Sequence, residues 1–162
     1  MKKPRTWLLL FALAYALPAT AHAQKTTLTM SGYPIAFPAP TATDFINGQI
    51  TSTTALLFTV DATTGSPTQR TTTVSIRCSA PCPTTGTKSL SGLQWRRADL
   101  GNWVPLTTTD TDVESRVVLK GSTNDPWSNS IYFQFSLGWT TDPPSATANS
   151  FDIVMTLTVT VP

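Results

Sequence analysis

The sequence predicts an all-β protein, an antiparallel immunoglobulin-like β-sandwich of seven to eight strands, with a jelly roll or small closed barrel as the competing architecture. Three observations lead there. Phe151 to Val161 alternates cleanly, with Phe151, Ile153, Met155, Leu157, Val159 and Val161 on one face and Asp152, Thr156, Thr158 and Thr160 on the other, broken only by Val154. A period of two over that length fits a sheet with one buried face and one wet face, and the inward apolar set requires a second layer to cover it. The same alternation recurs along the chain between turn-rich segments, and no amphipathic helical stripe longer than a possible turn near Ala42 to Ile46 interrupts it.

Residues 1–23 read as a cleaved secretory signal. Lys2, Lys3 and Arg5 form a basic start, Thr6 to Ala19 is a mostly apolar run, and Ala21-His22-Ala23 supplies a small-x-small cleavage pattern before polar Gln24 and Lys25. The apolar run is short for a membrane span, and no second one follows, so no integral membrane segment is expected after cleavage. With the last strand ending at Val161, no tail anchor is expected either. Residues 24–162 are then a single domain with an exported destination: periplasmic, cell-surface or extracellular.

Removing the signal changes the chemistry. The full chain carries 11 Lys and Arg against 9 Asp and Glu; without Lys2, Lys3 and Arg5 the balance becomes 8 against 9. The basic character belongs to the leader, so nothing favours capture of nucleic acid or an anionic membrane. His22, the only histidine, leaves with it. Histidine-activated nucleophiles, histidine general bases and the usual histidine metal centres are thereby excluded. No phosphate-binding glycine loop or dinucleotide fingerprint is present, so no cofactor is expected.

Taken in order, Thr27 to Met30 is a short strand suited to an edge. A Pro-rich connection at about residues 31–44 follows, where Gly32, Pro34, Pro38 and Pro40 prevent strand continuation. It either crosses an end of the fold or reaches toward another subunit. Thr54 to Asp61 places Leu56, Phe58 and Val60 on one face, and Arg70 to Cys78 places Thr72, Val74, Ile76 and Cys78 together. These two read as a hairpin or as successive sandwich strands. Lys88 to Arg97 is a strand pair or a strand kinked around Gly92, with Leu93 and Trp95 sharing a face, and Asn102 to Leu106, interrupted by Pro105, suits an edge or bulged position. Val113 to Lys120 continues the sheet with an uncertain register, because Val117, Val118 and Leu119 are consecutive. Ser130 to Trp139 directs Ile131, Phe133, Phe135 and Leu137 inward, and with Phe151 to Val161 it makes the expected final antiparallel pair.

Candidate chemistry is sparse. Cys78 and Cys82, the only cysteines of an exported chain, are expected to form a disulfide that closes a small ring at a strand end or loop tip. Asp110, Asp112 and Glu114 would share one face of an extended segment. A solvated sheet edge is the plain reading of that cluster, and a calcium site with Asn124 and Asp125 is the weaker alternative; otherwise no metal is expected. Four tryptophans remain after cleavage. Trp95 and Trp139 are expected to fill or cap the core, whereas Trp103 and Trp127, beside Asn102 and Asn124 in polar turns, offer a stacking surface for a sugar ring or an interface anchor.

The function these features favour is a non-enzymatic, extracytoplasmic structural or protein-interaction module, in its most specific form a surface assembly subunit. Its partner would be another protein, or a second copy engaged through a sheet edge, including strand addition by residues 24–30. The alternative is a carbohydrate-binding module that uses the loop aromatics Trp103 and Trp127 for a glycan.

Overall fold

A computed structural model describes residues 25–63, 69–82, 89–118, 126–142 and 154–161 of the chain. These residues form an all-β sandwich of two antiparallel sheets. The strands are β1 (Lys25–Ser31), β2 (Gln49–Thr51), β3 (Leu56–Thr63), β4 (Arg70–Cys78), β5 (Leu93–Arg97), β6 (Val104–Pro105), β7 (Thr111–Val118), β8 (Trp127–Ser136) and β9 (Met155–Thr160). One α-helix, α1 (Ala42–Asn47), stands where the sequence suggested a turn, and a single 3-10 turn over Leu90–Gly92 precedes β5, where the sequence suggested strand.

The first sheet has the order β1-β3-β8-β5-β6. β2 and β3 lie end to end along the same side of β8, since β5 occupies its other side over Ile131–Phe135. Ser52 joins the two segments: its N–H donates to the Phe133 carbonyl at 2.7 Å and its hydroxyl accepts from the Phe133 N–H at 3.1 Å. The second sheet is β7-β4-β9. β3 and β4 are therefore successive strands on opposite sheets and not a hairpin.

The expected pairing of the last two strands is not what forms. β8 is the central strand of the first sheet, while β9 pairs with β4 in the second. Alternation reports which face of a strand is buried and is silent on which neighbour it bonds. The inward residues of β8 and β9 both feed the core, from opposite sides of it. The N-terminal part of the expected final strand, Phe151 to Ile153, lies outside the described residues.

The core follows the alternation closely. Thr72, Val74, Ile76 and Cys78 of β4 are all buried, as are Leu56, Phe58 and Val60 of β3 and Ile131, Phe133, Phe135 and Leu137 at and just beyond β8. Burying each of the Val, Leu, Ile and Phe side chains among them contributes about 1.5 to 3 kcal/mol, and β-branched residues fill the centre because they suit the pleat.

The Pro-rich connection folds onto its own domain. Gly32 sits at φ +82°, which suits a residue without Cβ, and its Cα approaches the Ala55 carbonyl so closely that a Cβ would collide with it. Beyond it, Ile35 and Phe37 pack on the core, the Phe37 ring lies edge-on to Phe135 at 4.6 Å, and Thr53 N–H donates to the Ala36 carbonyl at 3.0 Å. Thr41 then caps α1. Its hydroxyl accepts from the Asp44 N–H at 3.3 Å while the Asp44 carboxylate accepts from the Thr41 N–H at 2.7 Å, a reciprocal capping box. Gly48, at φ +70°, ends the helix.

Cys78, the last residue of β4, is bonded to Cys82, as the spacing suggested.

Candidate functional site: sheet edges and an inter-sheet clasp

Glu114 stands at the centre of the one charged cluster that the described residues place between the sheets. The β4 to β7 register shifts between Val74, which faces Glu114, and Ser75, which faces Asp112, so Val113 is an extra residue in β7. Such a bulge breaks the alternation locally, and both Val113 and Glu114 turn inward. The Glu114 side chain is 8% exposed. One carboxylate oxygen accepts from Arg116 Nε at 2.7 Å; the other accepts from Asn129 Nδ2 of β8 at 3.0 Å and lies 3.6 Å from Arg97 Nη1 of β5. Arg97 also donates to the Val113 carbonyl at 3.1 Å and to Asp99 at 2.6 Å. That last bond holds the Asp99 carboxyl below its ordinary range. Arg97 and Asn129 thus tie the first sheet to β7 of the second. With both of its oxygens engaged, Glu114 acts as a clasp between layers.

The bulge also decides the fate of the acidic trio. Asp110, Asp112 and Glu114 do not share a face: Asp112 points outward and accepts from the Ser75 hydroxyl at 3.0 Å, Asp110 lies 3.8 Å from Arg77, and Glu114 is buried. Among the described residues no three acidic, histidine or cysteine side chains are grouped to hold a metal ion. Asn124 and Asp125, the other oxygen donors considered, lie outside the described residues.

One of the four tryptophans leaves the role expected of it. Trp127 is not a loop aromatic. It opens β8 opposite Val60, is 5% exposed, meets Phe58 edge-on at 5.7 Å and carries the Arg116 guanidinium 4.9 Å from its ring centre. A ring held there has no free face for a sugar. Trp103 is half-buried with the Arg96 guanidinium 4.7 Å above it, and Asn102 beside it is exposed. Trp95 fills the core as expected, and Trp139 lies over its end, stacked on the buried Phe45 of α1 at 4.6 Å and 53% exposed.

Among the described residues β1, β2, β6, β7 and β9 each have one paired neighbour, and their free sides differ in protection; β2 is only three residues long. β6 is two residues long and ends in Pro105. β7 carries the bulge and the charged Asp112, Glu114 and Arg116. Short strands, proline, bulges and charge are the usual devices that prevent edge-to-edge pairing. β9 has none of them over Met155–Thr160. β1 has a lysine only at its first position, and its seven residues are paired along their whole length with β3.

Sequence reasoning passed over Arg97 and Asn129. A signal for Arg97 was present: it shares the inward face of Leu93 and Trp95, and an arginine there calls for a buried acid. Compared with known proteins, the chain matches no protein-family model and no curated protein.

Proposed function

We propose that the chain is an exported, non-enzymatic structural module that assembles with further copies of itself through an open sheet edge. The observation that carries this reading is the unequal protection of the edges: β6 and β7 bear devices that discourage pairing, whereas β9 bears none and, unlike β1 with Lys25, has no charged residue in its sequence. An edge without such devices, and without a pairing strand on its outer side among the described residues, is a surface for strand addition. The leader-like residues 1–23 and the Cys78–Cys82 bridge support an extracytoplasmic setting, where disulfides persist. Strand donation by residues 24–30 would first have to break the ladder between β1 and β3, which makes the β9 edge the simpler route.

Light scattering coupled to size-exclusion chromatography on residues 24–162, over a wide concentration range, tests this. A mass that rises to a defined multiple of the chain is the expected result. A monomer at every concentration refutes the reading and returns ligand screening on glycans to the front.

A further inference from the structure

We infer that two copies of this chain join β9 to β9 in antiparallel fashion about a two-fold axis, with Leu157 opposite Leu157 of the second copy. The inference rests on the self-assembly reading and specifies its surface and its partner.

The hydrogen-bond phase of β9 provides the first argument. Ser79 N–H donates to the Val154 carbonyl at 2.7 Å, and the two residues continue the β4 to β9 register, in which Cys78 faces Met155 and Arg77 faces Thr156. In an antiparallel ladder the mutually bonded pairs recur at every second residue. Thr156, Thr158 and Thr160 therefore turn their N–H and C=O groups toward β4, and Met155, Leu157 and Val159 turn theirs to the other side. Cys78 agrees with this phase, since its N–H goes away from β9 to the Thr107 carbonyl at 2.8 Å. Among the described residues no strand pairs with that outer side of β9.

Self-pairing about Leu157 satisfies these groups as a set. Met155 meets Val159, Leu157 meets Leu157 and Val159 meets Met155, each as a mutually bonded pair. Thr156 and Thr158 meet in the intervening positions. The same register matches the faces: the inward set Met155, Leu157 and Val159 joins its counterpart on the core side, and threonines meet threonines outside. No charged side chain lies in Met155–Thr160, so two copies of the strand approach without like-charge repulsion. The contact is isologous and closes as a dimer, with a continuous sheet β7-β4-β9-β9-β4-β7 across it.

Val159→Pro is the discriminating variant. Its missing N–H belongs to the outer side, so the ladder to β4 keeps its bonds, while the dimer loses both Val159 donors and gains a ring in the interface. Light scattering on residues 24–162 is expected to show dimerisation weakened by about 100-fold or more in the variant. The register is read independently by mixing a Thr156→Cys chain with a Thr158→Cys chain under mild oxidation. These positions face each other in a closely spaced non-bonded pair, so the mixture should give a covalent dimer and neither chain should do so alone. Association that survives Val159→Pro overturns the β9 assignment while self-assembly itself stands. Should Val159→Pro fail to fold, absence of the mixed covalent dimer overturns it instead. A parent chain that is monomeric throughout removes the self-assembly reading along with it.

Discussion

Replacing Glu114 by alanine tests whether the inter-sheet clasp holds β7 against the first sheet. The carboxylate accepts from Arg116 at 2.7 Å and from Asn129 at 3.0 Å, and lies 3.6 Å from Arg97. Breaking a fully buried ion pair costs about 3 to 5 kcal/mol, because the remaining charge loses its partner without regaining water. Two features reduce that figure here. Arg97 keeps Asp99 and the Val113 carbonyl, and Arg116, whose side chain is 48% exposed, rehydrates. The donor of Asn129 is left unmatched, which costs about 1 to 3 kcal/mol. The expected total is about 2 to 3 kcal/mol. Urea unfolding of residues 24–162 under oxidising conditions, followed by tryptophan fluorescence, measures it. Glu114→Gln should lose less, since its carbonyl oxygen still accepts from Asn129. Asp110→Ala serves as the surface control, because both partners of the Arg77–Asp110 pair are close to half exposed; less than about 0.5 kcal/mol is expected there. If Glu114→Ala is no more damaging than Asp110→Ala, the clasp has no structural role and the reasoning from the bulge fails.

Three further perturbations address other parts of the molecule. Gly32→Ala should destabilise by more than about 1 kcal/mol, since it places a Cβ at positive φ against the Ala55 carbonyl; an unchanged urea midpoint would contradict that geometry. Thr41 holds the Asp44 carboxyl below its ordinary range, first through its hydroxyl and then through its N–H. A depressed folded-state value means that the contribution is complete above the ordinary carboxylate range and is lost as pH falls through the folded value, so Asp44→Asn should flatten the acid limb of the stability profile and leave its neutral region level. Replacing Cys78 and Cys82 together by alanine should cost about 2 kcal/mol, the chain-entropy value for so small a ring, and a loss of cooperative unfolding would show that the bridge does more than fix the end of β4.

The sequence alone determined the class of fold, the faces and the disulfide. Inward residues were readable in β3, β4 and β8 because a period of two, once a face is buried, leaves one assignment for each side chain. The short edge at Val104–Pro105 was readable because proline removes a ladder donor, and Cys78–Cys82 because nothing else in the chain could pair with either cysteine. Tertiary structure decided which strands are neighbours, since alternation carries no information on pairing; hence β9 bonds to β4 and not to β8. It also decided the fate of side chains near one extra residue. Val113 turns Glu114 from the wet face to the interior, and the pairing of Trp127 with Val60 takes that ring from an expected loop into the core. Both outcomes depend on contacts between residues far apart in the chain, which local pattern does not encode. The outer side of β9, away from β4, belongs to the same category: its composition is visible in the sequence, but which of its backbone groups face outward follows only from its register with β4.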